Sequence, residues 1–287
     1  MDEASIRRVE SRFSGGAGRS LMCRAWLPRE PERVLIVTHG FSEHSGRYES
    51  FGSWFGYRGC AVHAYDLQGH GLSAGRRGHV ERFDDFLDDL GFFLDGVRLE
   101  HPELPRFLVG HSMGGLIVAA FARERAPDVA GVVTSGAALA LSPKFSPVRR
   151  VLARLAGRIL PRLSMDAGLD VHGLSRDPEV VRRYLEDPLV DTTITARLAA
   201  EMMDGVERMA AGGVEIPLPM LLLHGADDPL SLPEGSERFF ARLPAQRVPG
   251  SALRIYPDLR HEIFNEPERE KVFTDVLEWM QAIAERE

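Results

Sequence analysis

Short apolar runs alternate with longer amphipathic stretches along most of the chain. Continuous apolar runs, typical of buried parallel strands, occur at 33–40, 60–66, 106–112, 129–135 and 219–225. Stretches with helical character lie at 47–58, 83–100, 113–125, 233–243 and 269–285. The first 27 residues alternate loosely around the turn cluster SGGAGRS, which predicts a β-hairpin. Because alternating strands and helices form βαβ units, the pattern predicts a parallel sheet that is covered on both faces.

The interval from 138 to 216 breaks this alternation, because it has no strong strand pattern. Apolar residues recur there in a stripe at helical spacing, arginines lie off the stripe, and Pro161 ends the helix. A second helical stretch follows at about 192–211. An insertion without strands of its own predicts a helical cap at 138–216 between the core segments 1–137 and 217–287. The stripe comprises Val148, Val151, Leu152, Leu155, Ala156, Ile159 and Leu160.

Composition restricts the class of protein further. The chain has 287 residues, of which 44% are hydrophobic and 27% charged, close to the average of globular proteins. The 42 acidic residues outnumber the 35 basic ones and give a net charge of −7, which argues against nucleic-acid binding. Two cysteines, Cys23 and Cys60, cannot form a disulfide framework, and neither lies in the spacing of a metal site. We therefore expect no metal and no cofactor.

Two segments bear on where the protein resides. The start, MDEASIRRVE, has acidic residues before any apolar run, unlike a secretory signal. The most apolar stretch, VAGVVTSGAALAL, has about 13 residues and is too short to span a bilayer. We expect a cytoplasmic protein.

The motif Gly110-His111-Ser112-Met113-Gly114 has the pattern G-x-S-x-G. It follows the apolar run RFLV and opens the apolar helical stretch GGLIVAAFA, which is the strand–turn–helix context of a nucleophile elbow. The backbone of the serine is strained in such a turn, and glycines on both sides avoid clashes of Cβ atoms. We therefore predict that Ser112 is a nucleophile at the carboxyl end of its strand, where open α/β sheets bind ligands.

A nucleophilic serine needs a base, and the base needs an acid that fixes its tautomer. In the α/β-hydrolase arrangement, the chain order is Ser, then Asp or Glu, then His. His261 is the last histidine of the chain, and it lies between a short strand-like stretch and the final helical stretch. Asp227 and Asp228 both follow a buried strand, where the acid is expected, and spacing alone does not distinguish them.

Several motifs, in order along nearly the whole chain, resemble those of the monoacylglycerol lipase family. HGFSEHSGRY at 39–48 is similar to the family's HGxGEHSGRY loop, and DLQGHGLS at 66–73 to its D-x-x-G-H-G-x-S segment. GHSMGG at 110–115 matches the family's elbow. LSRDPEVVRRYLEDPLV at 174–190 and HGADDPL at 224–230 also resemble family segments. The motifs at 66–73 and 110–115 are shared with many α/β-hydrolases. The loop at 39–48 and the Y-x-x-D-P-L pattern at 184–189 are more specific to the family.

The resemblance implies a fold and a set of catalytic groups. The fold is an α/β-hydrolase fold, with a mostly parallel eight-stranded sheet flanked by helices and a helical cap inserted after the sixth strand. The family pattern assigns Asp228, three residues after Gly225, as the acid that orients His261. It also implies that the backbone N–H groups of Phe41 and Met113 form the oxyanion hole, in agreement with the general rule for this fold.

The resemblance also implies a polar subsite. Glu43, Arg47 and Tyr184 occupy the positions that line the glycerol pocket in the family. An ion pair of Glu43 with Arg47 that braces the oxyanion loop is an alternative, and it is compatible with that role. Phe41 and Ser42 replace small residues of the mammalian members, which affects the preferred acyl-chain length rather than the reaction.

The implied activity is hydrolysis of monoacylglycerol to glycerol and a free fatty acid through an acyl-enzyme intermediate. The expected partner is therefore a small lipid ester. A lysophospholipase or a broad carboxylesterase of the same fold stays open as an alternative. A non-catalytic binding protein with this fold is more distant, because such proteins generally lose a member of the triad. The sequence leaves the oligomeric state open.

The cap contains many apolar residues that could bury an acyl chain, at about 0.8 kcal/mol per buried CH₂. Its stripe either faces the active site, the interpretation we favour, or contacts a membrane or micelle surface transiently. In the second case the protein would be peripheral at membranes. The apolar candidates are Leu139, Leu141, Phe145, Leu152, Leu155, Ile159, Leu163, Leu169, Leu174 and Leu185.

Overall fold

The computed structural model describes residues 6–141, 146–211, 215–243 and 248–285, so Phe145 lies outside the described residues. In chain order, the strands are β1 (Arg7–Ser14), β2 (Ser20–Leu27), β3 (Arg33–Thr38), β4 (Cys60–Tyr65), β5 (Arg106–His111), β6 (Gly131–Ser135), β7 (Ser164–Asp166), β8 (Thr193–Thr195), β9 (Met220–Gly225) and β10 (Ala252–Tyr256). The helices are α1 (Glu49–Gly56), α2 (Phe83–Glu100), α3 (Met113–Arg125), α4 (Pro147–Ile159), α5 (Pro178–Glu186), α6 (Ala196–Ala210), α7 (Pro233–Phe240) and α8 (Arg269–Ala284). Within the described ranges, none of these helices combines the length and apolar character that crossing a membrane requires.

Eight strands form one sheet in the order β1-β2-β4-β3-β5-β6-β9-β10. The hairpin of β1 with β2 is antiparallel, and so is the pairing of β2 with β4. Every other pairing in this sheet is parallel. The predicted α/β-hydrolase fold with a mostly parallel eight-stranded sheet is therefore confirmed. β4, β5 and β9 are buried at every position, because helices cover both faces of the sheet.

Two apolar clusters lie on opposite faces of the sheet. Successive side chains of a strand point to opposite faces, and accordingly Ile36 belongs to one cluster while Leu35 and Val37 belong to the other. The first cluster includes residues of α2 and α3, and the second includes residues of α1 and α8. The helices thus hold the central strands from both sides, and they fix the strand ends that carry the candidate site.

The chain between β6 and β9 contains α4, α5, α6 and a small antiparallel sheet of β7 with β8. The prediction that this segment has no strands of its own is wrong at these two positions. Each strand has three residues, which is too short for the alternation that reveals a strand in the sequence. The helix α5 was also missed, although the Asp177 side chain caps its start and Pro178 occupies its first position.

Candidate active site

Ser112 connects β5 to α3 in a tight turn. Its φ of 52° and ψ of −116° are values that residues with a Cβ atom rarely adopt, so the turn is strained. Glycines on both sides permit this close approach of the backbone. A Cβ on Gly110 would lie 2.3 Å from the carbonyl oxygen of Gly114, and one on Gly114 would lie 2.1 Å from that of Thr38. The backbone therefore has the shape expected of a nucleophile elbow.

The two predicted oxyanion donors belong to segments that adjoin Ser112. Met113 is the first residue of α3, so its N–H group has no acceptor within the helix. Phe41 follows Gly40 in the loop after β3. This loop approaches the turn closely, since a Cβ built on Gly40 would lie 3.0 Å from the Cβ of Ser112. The two segments that carry these N–H groups thus adjoin the turn at Ser112, and the oxyanion hole itself stays a prediction.

His261 and Asp228 form a buried hydrogen-bonded pair. The Nδ1 atom of His261 lies 2.7 Å from Oδ2 of Asp228. Burial alone would lower the pKa of His261, but the charge and hydrogen bond of Asp228 raise it above its ordinary value. Burial would raise the pKa of Asp228, and the two neighbouring histidines lower it well below its ordinary range. Asp228 is therefore ionised at neutral pH and orients the ring of His261.

The geometry distinguishes the two aspartates that spacing left open. Asp228 is buried in the turn after β9, and its Oδ1 accepts the backbone N–H groups of Leu230 and Ser231 at 2.8 and 2.9 Å. The neighbouring Asp227 is exposed. The backbone bonds fix the carboxylate of Asp228, so that its second oxygen points to His261.

His224 is a further partner of Asp228 that the sequence analysis did not identify. Its Nε2 lies 3.1 Å from Oδ2 of Asp228 and 2.6 Å from the carbonyl oxygen of Ser231. A carbonyl oxygen only accepts, so Nε2 carries the proton, and Nδ1 accepts the hydroxyl of Ser236 at 2.8 Å. His224 is fully buried on β9. A histidine within an apolar strand gives no sequence signal of the carboxylate that it contacts.

Ser112 and His261 line one cavity of about 520 Å³ between the core and the segment that follows β6. This volume lies within the usual range of ligand pockets, about 300–1,000 Å³. Most of the lining is apolar, and Phe41 lies in the wall. Cap residues that contribute to the lining include Ala153, Ala156, Leu169, Leu174, Ile194, Met202, Met203 and Val206. The cavity can therefore hold a long apolar group next to Ser112.

One end of the cavity is polar and contains an ion-pair network. The guanidinium of Arg47 lies 2.6 and 2.9 Å from the two carboxylate oxygens of Glu262, and 3.2 Å from Oε2 of Glu43. The other oxygen of Glu43 accepts the N–H of Gly40 and, at 3.0 Å, the hydroxyl of Tyr48. Glu43 thus braces the loop that carries Phe41, as the alternative interpretation of this pair predicted.

The two carboxylates of this network differ in their protonation. Burial raises the pKa of Glu43 to about 7, and Arg47 offsets only part of that effect. Burial also acts on Glu262, but its two bonds to Arg47 lower its pKa to about 2. One guanidinium therefore stabilises the charge of Glu262 fully and that of Glu43 only in part.

The structure places the three predicted glycerol-pocket residues at different depths. Glu43 and Tyr184 line the cavity itself. Arg47 lies behind them beside a void of about 10 Å³, and its guanidinium is 4.8 Å from the centre of the Tyr184 ring. Glu262 lines the cavity but was not predicted. Its position directly after His261 indicates that it lies near the site. Its ion pair with Arg47 has no local sequence signature, because the two residues are 215 positions apart.

The expectation that the apolar stripe of α4 faces the active site is wrong for its large side chains. Leu152 is 58% exposed and Ile159 is 65% exposed. The two residues of α4 that line the cavity are the small Ala153 and Ala156, and Ala156 is the one member of the stripe among them. Helical periodicity identified an apolar face, but it did not indicate whether that face is turned to the cavity or to solvent. Further apolar residues that the cap exposes are Val148, Val151, Leu155, Leu160, Leu163, Met165 and Leu185.

Proteins of known sequence and structure resemble this chain over almost its whole length. The monoacylglycerol lipase of Mycolicibacterium smegmatis is 35% identical, over 96% of this chain and 98% of that protein. The crystal structure of the Paleococcus ferrophilus monoacylglycerol lipase is 35% identical and superimposes with a TM-score of 0.79, over 97% of this chain and 99% of that one. Phospholipase YtpA of Bacillus subtilis is 30% identical, over 86% of this chain and 95% of that protein.

A family model also matches most of the chain. The model described as "Serine aminopeptidase, S33" covers residues 29–268, which include β3 to β10 and the candidate site. The match spans well over half of the sequence and agrees with the observed sheet. The chain therefore belongs to the serine aminopeptidase S33 family of α/β-hydrolases.

Proposed function

We propose that this protein is a serine hydrolase that cleaves monoacylglycerol to glycerol and a free fatty acid. The observation that carries the proposal is the composition of one cavity. Ser112 and His261 line a mostly apolar chamber whose lining also includes the polar side chains of Glu43, Tyr184 and Glu262. An acyl chain matches the apolar part, and a small polyol matches the polar end. Relatives named as monoacylglycerol lipases, similar over nearly the whole chain, support this assignment.

The first half of the proposed reaction forms an acyl-enzyme. Ser112 Oγ attacks the ester carbonyl while Nε2 of His261 takes its proton, and Asp228 holds the ring in the required tautomer. The tetrahedral oxyanion accepts the N–H groups of Phe41 and Met113. Each such donor in a preorganised site contributes about 3 kcal/mol to transition-state stabilisation. His261 then returns the proton to the leaving glycerol oxygen.

The second half releases the fatty acid. A water molecule enters after glycerol leaves, and His261 removes its proton as it attacks the acyl carbonyl. The same two N–H groups stabilise the second oxyanion, and the proton then returns to Ser112 Oγ.

The polar end favours a neutral alcohol over a phosphodiester. Glu43 and Glu262 line it, and Arg47 is held behind them by both carboxylates. A phosphate group placed there would meet carboxylate oxygens first, and like charges in a buried site repel strongly. Glycerol hydroxyls can instead donate to those oxygens. We therefore place monoacylglycerol ahead of lysophospholipid, the substrate class that the phospholipase relative makes the second candidate.

We further propose that residues 138–216 act as a cap that contacts a membrane or micelle surface transiently. The exposed apolar face of α4 supports this role, because apolar side chains on an amphipathic helix partition into a lipid interface. Met165 connects the two regions: it lines the cavity and is 50% exposed. A substrate that resides in a lipid layer could thus pass from the cap surface to Ser112. A cytoplasmic location, peripheral at membranes, stays a prediction.

A panel of substrates tests the proposed function. We expect monoolein to be hydrolysed much faster than lysophosphatidylcholine, triolein or an aminoacyl p-nitroanilide, the last representing the peptidase activity in the family description. A fluorophosphonate probe should label the protein but not its Ser112→Ala variant. Faster turnover of lysophosphatidylcholine would replace the proposal with the lysophospholipase alternative. Equal turnover of short esters and monoolein would indicate a broad carboxylesterase, and absence of labelling would indicate a non-catalytic binding protein.

A further inference from the structure

Two histidines face each other beside the sheet, and neither is among the residues that line the cavity of Ser112. His63 lies on β4 and is buried, whereas His101 directly follows the last residue of α2. The carbonyl oxygen of His101 accepts the guanidinium of Arg106, the first residue of β5, at 3.1 Å. Ser112 directly follows the other end of β5. His101 is therefore separated from Ser112 by the length of β5, whereas the sheet register places His63 level with the middle of that strand.

The spacing of this pair fits a shared metal ion. The Nε2 atoms of His63 and His101 are 3.2 Å apart, and their ring planes meet at 68°. Zinc–imidazole bonds of about 2.0–2.1 Å at a tetrahedral angle place two ligand nitrogens about 3.3 Å apart. In the structure the two ring nitrogens share a hydrogen bond, and an ion would replace that bond at nearly the same separation.

Glu100 supplies a third ligand of suitable chemistry. One carboxylate oxygen of Glu100 and one ring nitrogen of each histidine all lie within 4.8 Å of one another. Glu100 is exposed and His101 is partly buried, so an ion can enter from solvent. Two imidazoles with one carboxylate form a three-residue zinc set that leaves a fourth position for water.

We propose that His63, Glu100 and His101 bind a divalent zinc ion that ties the end of α2 to β4. This site was not expected from the sequence, because the two histidines lie 38 residues apart and only the fold brings them together. The ion would act on the stability of the core rather than on the reaction, since none of the three ligands lines the cavity of Ser112.

Zinc titration by calorimetry, with Co²⁺ absorption as a report of tetrahedral coordination, tests the proposal. We expect one zinc ion per chain and a loss of affinity of about tenfold or more in His101→Asn and in Glu100→Gln. The matched control is His172→Asn, which removes an exposed histidine on another segment and should bind zinc as the parent does. Monoolein hydrolysis should be the same in all of these variants.

Each other outcome decides against the site. Equal zinc affinity in the parent, His101→Asn and Glu100→Gln would overturn the proposal, as would binding that His172→Asn abolishes. His63 is buried, so its substitution risks misfolding, and the two more exposed ligands therefore carry the test. Because the readout is metal affinity, its failure would leave the proposed hydrolase activity unaffected.

Discussion

Nε2 of His224 lies 3.1 Å from Oδ2 of Asp228, and its N–H is shared between that oxygen and the nearer carbonyl oxygen of Ser231. The same oxygen of Asp228 also accepts the bond from His261. One carboxylate oxygen therefore serves two histidines, of which only His261 lines the cavity with Ser112. His224 is held in turn by Ser231 and Ser236. We interpret His224 as a positioning residue, which limits the orientations that Asp228 can adopt.

Replacement of His224 by Phe should lower kcat by about tenfold and leave KM unchanged. Removal of one hydrogen-bond donor from a buried carboxylate costs about 1–3 kcal/mol. A loss of about 1.4 kcal/mol in transition-state stabilisation lowers the rate tenfold. His224→Gln keeps an N–H donor and should recover most of kcat. Steady-state kinetics with monoolein would check this, and full kcat in His224→Phe would exclude a positioning role.

Asp228→Asn should lower kcat on the order of 10³–10⁴-fold, because an amide cannot hold His261 in the required tautomer. Asp227→Asn provides a matched control, since Asp227 is adjacent but exposed. It should retain the parent kcat. A comparison of the two variants in one ester assay separates them, and the opposite order of losses would identify Asp227 as the acid.

Sequence patterns identified the residues that we propose to react more readily than the residues that hold them in position. Chain order and motif context led to Ser112 and His261, because an elbow and a late loop histidine have local signatures. The sequence did not identify His224 and Glu262, because each contacts a partner that only the tertiary structure brings close. The pair of Glu262 with Arg47 spans 215 residues of sequence. For the same reason, periodicity revealed the apolar face of α4 without showing that most of it is exposed.

Activity should decline on the acid side with a midpoint above pH 6.5. His261 acts as a base only when it is neutral, and Asp228 raises the pKa of His261 above the ordinary value of 6.5. Protonation therefore persists to a higher pH than in a free histidine. The pH dependence of kcat/KM for a soluble ester reports this value in the free enzyme. A midpoint at or below 6.5 would contradict the influence that we assign to Asp228.

Glu43→Gln should change how stability depends on pH. Burial raises the pKa of Glu43 from 4.5 to about 7, so the folded state holds a proton there that the unfolded chain has already lost. A raised carboxyl pKa gives stability that is complete below about 4.5 and is lost as the pH rises through about 7. Glu43→Gln lacks the titrating carboxyl, so its stability should fall less than that of the parent between about pH 4.5 and pH 7.

The expected difference in the free energy of unfolding is at most about 3.5 kcal/mol, at about 1.4 kcal/mol for each pKa unit. Urea denaturation of both proteins at a series of pH values would measure it. A glutamine side chain also presents an oxygen acceptor. The side chain at position 43 therefore accepts the N–H of Gly40 and the hydroxyl of Tyr48 in both proteins. Parallel pH curves for the two proteins would show that Glu43 titrates normally.

Substitution of Leu152 or Ile159 by Ser should weaken binding to phosphatidylcholine vesicles by about tenfold or more for each residue. These side chains are 58% and 65% exposed in the structure, and burying a leucine or isoleucine side chain contributes about 1.5–3 kcal/mol. Leu99→Ser is the matched control, because Leu99 is 81% exposed on α2, away from the cap. It should bind vesicles as the parent does. Vesicle co-sedimentation gives the affinities, and equal losses in all three variants would show that no particular face of the protein meets the lipid.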